Sequence, residues 1–131
     1  MASPTLTLRY FAIHGMAARV RLAALVGNVP MQDHRLSRSD FDELKAAGKL
    51  PYGQVPLLEI FTAAGDVTFL PQSGAILRFI CRLGGLHPSD AVQAAVVDAA
   101  LDAERDCFSG YVAAKVSPVQ RLVRNLFDAP L

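Results

Sequence analysis

Two short segments carry the clearest chemistry. Gln54-Val55-Pro56 runs into an apolar stretch that reads as a strand, and Gln72-Ser73 opens an apolar helix further along. A proline cannot donate to a β-ladder, which puts Pro56 at a sheet edge with open backbone hydrogen-bonding groups beside it, a place that holds an extended peptide. A serine at a helix start leaves backbone N–H groups and the positive end of the helix dipole facing outward, which suits a carboxylate. Together they point to a small, peptide-like, anionic ligand. The other reactive groups are Tyr10 at the exit of the first strand, the carboxylates of Asp98, Asp102 and Asp106, and the thiols of Cys81 and Cys107.

Composition narrows the setting. A chain of 131 residues with 52% hydrophobic content can bury a sizeable core. A net charge of +1, from 13 basic and 12 acidic residues, creates no field that favours nucleic acid or a charged membrane surface. The two cysteines lie in helical patterns without CxxC spacing and are too few for a secreted disulfide framework, which points to a reducing compartment. The opening Met1-Ala2-Ser3-Pro4 has neither a charged nor an apolar leader region, and no run reaches transmembrane length. The chain reads as soluble and cytoplasmic.

The elements that must position these residues follow from periodicity. Thr5–Phe11 alternates as a half-buried strand. Met16 to Val26 is a helix with Ala18, Leu22, Leu25 and Val26 on one face and Gly27 as its stop. A strand from Met31 to Leu36 closes a parallel strand-helix-strand unit, and Ser39 or Asp40 caps a short helix reaching about Ala47. Pro56–Phe61 and Val67–Leu70 flank a glycine-containing turn as an antiparallel hairpin. The helix from Ser73 places Ile76, Ile80 and Leu83 on one face and ends at Gly84-Gly85. Pro88-Ser89-Asp90 starts a long helix to about Val116, Ser117-Pro118 breaks it, and Val119 to Phe127 forms a short amphipathic segment.

In order and spacing, these residues resemble the cytosolic glutathione transferases, most closely the tyrosine-using sigma- and pi-like group. The resemblance spans roughly residues 5 to 112. It rests on Leu8-Arg9-Tyr10-Phe11, Phe41 and Lys45, Pro51-Tyr52-Gly53-Gln54-Val55-Pro56-Leu57-Leu58-Glu59, Gln72-Ser73-Gly74-Ala75-Ile76-Leu77-Arg78 and the Asp98/Asp102/Asp106 row. It implies an α/β fold with a thioredoxin-like βαβ-α-ββα N-terminal domain over residues 1–85, followed by a partial all-helical region over 86–131. It also implies conjugation of glutathione to a small electrophile, with glutathione as co-substrate, no metal, and a homodimer that engages neither nucleic acid nor membrane.

The resemblance assigns roles residue by residue. Tyr10 donates a hydrogen bond to the glutathione sulfur, where the alternative is an aromatic filling the strand end. Val55-Pro56 forms a cis-proline turn whose backbone, with Gln54 beside it, pairs with the cysteinyl part of the ligand; an ordinary edge proline is the alternative. Gln72 and Ser73 hold the γ-glutamyl carboxylate, although a plain helix cap also explains Ser73. Lys45 meets the glycyl carboxylate, and Phe41 stands where the family often has a tryptophan. Asp106 reaches the ligand of a two-fold partner, against which stands a solvated acidic stripe. Tyr52 resembles a key inserted into that partner, or is simply an exposed tyrosine before a turn.

Two departures stand beside these matches. Where the family carries an arginine after the glycine that follows the tyrosine, this chain has His14-Gly15-Met16-Ala17, and a thioether cannot stabilise a thiolate as a guanidinium does. The family also continues through several more helices, so much of the electrophile pocket falls outside the 131 residues, whether the chain is a fragment, a variant gene product or a degenerate member. The rival reading is a non-catalytic dimerisation or interaction module. A thioredoxin-type redox protein is disfavoured, because neither cysteine lies near the first strand-helix junction.

Overall fold

Leu6, Leu8 and Tyr10 alternate along β1 (Thr5–Phe11) and are all buried, so one face of this strand seeds the core. The computed structural model describes residues 4–116, and side chains only through Phe108. Around β1 the sheet runs β2-β1-β3-β4, with β2 (Gln32–Leu36) parallel to β1, and β3 (Leu57–Phe61) and β4 (Val67–Pro71) forming an antiparallel hairpin beside it. Between them come a 3-10 turn at Gly15–Ala17, α1 (Ala18–Val26), α2 (Arg38–Ala46) and α3 (Ser73–Leu83). The order is βαβ-α-ββα, as the sequence reading expects. α4 (Ala91–Val116) follows, with the Asp90 carboxylate accepting from the Val92 and Gln93 N–H groups at 3.1 and 2.9 Å. The chain divides into two compact units, Met1–Ser89 and Asp90–Leu131. The segment expected over Val119 to Phe127 lies outside the described residues.

α1 buries a different face from the one periodicity assigns. Ala17, Val20, Ala23 and Ala24 are buried, whereas Leu22, Leu25 and Val26 are exposed. The reason is closeness: α1 packs on α3 with the Gly27 and Gly84 backbones in contact, so that a Cβ on Gly84 would lie 2.8 Å from the Gly27 Cα. Only small side chains fit along such a seam, and the leucines turn outward. α3 correspondingly buries Ile76, Leu77 and Ile80, while Leu83 is half exposed. On the opposite face of β1, Phe11 meets Phe41 of α2 with ring centroids 5.4 Å apart.

The N-terminus of α2 is capped at Ser37, two or three residues earlier than Ser39 or Asp40. Ser37 accepts from the Asp40 N–H at 3.1 Å while the Asp40 carboxylate accepts from the Ser37 N–H at 2.7 Å, a reciprocal capping box. Hydrogen bonding from the Ser37 side chain, then from its backbone, holds the Asp40 carboxyl below its ordinary value. A depressed folded-state value means that this contribution is present above the unfolded carboxylate pKa and is lost as pH falls through the folded one. We expect Asp40→Asn to be less stable than the parent at pH 7, with the gap closing as urea unfolding is repeated through the acidic range. Among the described residues, no helix is long and apolar enough to cross a membrane.

Candidate active site

The strand register brings three chain segments together. Arg9 pairs with Leu57 and Leu57 with Pro71, so the exit of β1, the approach to β3 and the end of β4 lie side by side. A small cleft of about 100 Å³ opens there, lined by Met16, Gln54, Val55, Pro56, Gln72 and Ser73 among others. That is well below the ~300–1,000 Å³ that encloses a drug-sized molecule. The Val55–Pro56 bond is cis. β3 is not an edge strand, however, since it lies between β1 and β4. Pro56 precedes the ladder by one residue, so its missing N–H falls outside it, and the segment ahead of β3 lies beyond the sheet pairing.

Gln72 and Ser73 form the other wall. Gln72 has φ +73°, a left-handed conformation that costs a non-glycine residue roughly 1–3 kcal/mol and clusters at ligand sites. Its carbonyl accepts the first helical bond, from the Ile76 N–H at 3.0 Å, which leaves the N–H groups of the preceding turn without helical acceptors. Ser73 is the first helical residue, and its Oγ accepts from Arg19 Nη2 at 3.1 Å. The N-cap position belongs to Gln72, so a plain cap does not describe the Ser73 hydroxyl.

Tyr10 is 7% exposed and does not itself line the cleft. Its phenol oxygen accepts from the backbone N–H of Met16 at 3.2 Å, and Met16 does line it. An acceptor phenol keeps its own proton to donate. The Arg21 guanidinium stands 5.9 Å over the Tyr10 ring and donates to the Ile13 and Phe11 carbonyls, tying α1 to the β1 exit. Gly15 has φ +41°, and a Cβ there would sit 2.5 Å from the phenol oxygen. Gly15→Ala should therefore cost about 1–2 kcal/mol in urea unfolding and push the Tyr10 hydroxyl from its place.

The remaining candidates are spread more widely. Phe41 packs on Phe11 and under Arg38, 5.4 Å from the guanidinium. Lys45 is exposed in the last turn of α2, its Cε 3.8 Å from where a Gly53 Cβ would stand, beside the turn leading into Gln54. Tyr52 is 65% exposed. Asp106 belongs to the second unit and is exposed, 3.9 Å from Arg105. Burial pushes the Cys81 thiol up, the opposite of what a redox nucleophile requires. Among the described residues, no group of three or more His, Cys, Asp or Glu could hold a metal ion. A larger cleft of about 630 Å³ lies at the other end of β1, between Pro4–Leu6 and Asn28–Gln32, without an ionisable side chain in its lining. Sequence reasoning passed over Arg19, whose only signal is a cation in the first turn of a helix.

No family model matches the chain. Among curated proteins it is 36% identical over 107 residues to glutathione S-transferase P of Caenorhabditis elegans, covering 82% of this chain and 48% of that one. To human hematopoietic prostaglandin D synthase it is 31% identical over 106 residues, covering 81% and 50%. The chain thus spans about half the length of the curated relatives it matches. Among solved structures, the glutathione S-transferase from Ascaris lumbricoides is 34% identical with a TM-score of 0.72, over 94% of this chain and 54% of that one. A monomeric glutathione S-transferase from the hookworm Necator americanus is 25% identical with a TM-score of 0.71, over 86% and 53%. In its four-stranded mixed sheet and the order of its elements, the chain is like the thioredoxin-like N-terminal domain of the glutathione transferases followed by a partial helical region.

Proposed function

We propose that this chain binds glutathione along the Val55–Pro56 segment and activates its sulfur with Tyr10 for attack on a small electrophile. The observation that carries the reading is the convergence of the backbone ahead of Pro56 with the open first turn of α3 at Ser73. The first suits an extended peptide backbone, and the second, with its helix dipole, suits a carboxylate. On this reading Gln54, Val55 and Pro56 hold the cysteinyl part, Gln72 and Ser73 the γ-glutamyl carboxylate, and Lys45 the glycyl carboxylate, with Phe41 packing beside it. Asp106 serves the ligand of a two-fold partner. The Tyr10 proton goes toward the ligand sulfur, a hydrogen bond that favours thiolate and so raises nucleophilicity at neutral pH.

Calorimetry tests the reading. Glutathione should bind at least tenfold more tightly than cysteinylglycine, which lacks the γ-glutamyl carboxylate, since charge-assisted hydrogen bonds to that group contribute about 1.5–3 kcal/mol. Equal affinity, or no binding, overturns it. A second reading, a non-catalytic interaction module of the same fold, is favoured by Met16, an uncharged side chain lining the cleft next to Tyr10. Binding without conjugation of a simple aromatic electrophile selects that alternative.

A further inference from the structure

We propose that Arg19 is a positioning residue for the anionic end of the ligand, fixing the Ser73 hydroxyl as an outward donor and placing a permanent positive charge beside it. The inference rests on the glutathione reading above. A guanidinium only donates, while a hydroxyl has one proton and two lone pairs. With Arg19 Nη2 donating to Ser73 Oγ at 3.1 Å, the serine proton is directed to another acceptor, and Ser73 lines the cleft. Ser73 is 6% exposed, so its hydroxyl has little bulk water to turn toward.

The placement of Arg19 supports this role independently. It is the second residue of α1, where the positive end of the helix's own dipole disfavours a cation. A sequence breaks such a local rule where function requires it. The Arg19–Ser73 bond joins the first turns of α1 and α3 and brings a guanidinium to the first residue of α3. Met16, nearer the Tyr10 hydroxyl, brings no charge. Arg19 should govern affinity and KM, with little effect on kcat.

The test uses the whole chain, glutathione, and γ-aminobutyryl-cysteinyl-glycine, which lacks only the γ-glutamyl α-carboxylate. Arg19→Met should weaken glutathione about tenfold, the scale of one charge-assisted contact, and leave the analogue unchanged. Arg19→Lys, which keeps charge but not the planar fork, should lose only part of that affinity. The loss in Arg19→Met should not add to that of Ser73→Ala. A merely structural role would weaken both ligands alike, and that result, or unchanged glutathione affinity, overturns the inference alone. Should Arg19→Met fail to fold by circular dichroism, Arg19→Lys decides: a loss confined to glutathione supports the role, and equal behaviour toward both ligands overturns it. A parent chain that binds no glutathione overturns the functional reading and this inference together.

Discussion

Replacing Tyr10 with phenylalanine should lower kcat/KM for glutathione conjugation about 10- to 100-fold while leaving glutathione affinity within about twofold. The substitution keeps the ring against Phe11, 5.7 Å away, and removes one oxygen. A hydrogen bond to a charged partner is worth about 1.5–3 kcal/mol, and each 1.4 kcal/mol is a factor of ten in rate. Affinity changes little because the cleft walls are built by other residues. The sign with pH is fixed as well. A free thiol titrates near about pH 8.5, and a bond to the thiolate lowers that value, so the parent rate should rise at lower pH than that of the variant. Superimposable pH profiles would remove Tyr10 from sulfur activation.

The largest effect on stability is expected at Arg9. Its guanidinium donates to both Glu59 oxygens, Nε to Oε1 at 2.6 Å and Nη2 to Oε2 at 2.9 Å, while Nη1 lies 3.1 Å from His34 Nδ1. The Glu59 side chain is 6% exposed and that of Arg9 22%. Removing one partner of such a pair leaves a charge with neither water nor counter-ion, which costs about 3–5 kcal/mol, and the partial exposure of Arg9 puts Arg9→Met near the lower end, about 3 kcal/mol. Replacing both partners, as Arg9→Met with Glu59→Met, should recover most of the loss, since a well-packed apolar pair is often as stable as a buried ionic one. Urea unfolding of the single and double variants reads this directly. A single-variant loss below 1 kcal/mol would mean that Glu59 finds water when Arg9 is gone.

Much of the architecture was legible from residue pattern because strands and turns announce themselves locally. Alternation marked β1, the Ala63-Ala64-Gly65-Asp66 turn marked the hairpin, and Asp90 marked the start of α4. Less legible were facts that depend on which elements become neighbours. The α1 face failed because helix periodicity records where large apolar residues lie, and the Gly27–Gly84 approach demands small ones. The edge assignment for Pro56 failed because proline marks the loss of one donor and says nothing of whether the ladder has already begun. The Arg9–Glu59 pair could not be foreseen, since residues distant in sequence meet only through the β1–β3 register.

The candidate site divides in the same way. Val55, Pro56, Gln72 and Ser73 line one cleft, because Val55 and Pro56 lead into β3 while Gln72 and Ser73 follow β4 and open α3, and the sheet order fixes where those elements lie. The positive φ of Gln72 carries no sequence signal, since glutamine is not a residue that announces a left-handed turn. Arg19 was silent for a related reason: its partner Ser73 belongs to another helix.

On the proposed function, glutathione lies across the cleft between Val55 and Ser73 with its sulfur toward Tyr10. Amide chemical-shift mapping during a glutathione titration tests it most directly. Saturable shifts are expected at Met16, Val55, Ser73 and Gly74, with the Met16 amide responding because it is bonded to the Tyr10 oxygen. Shifts confined to Thr5, Leu6 and Asn28 at the far end of β1, or no shifts at all, would contradict it.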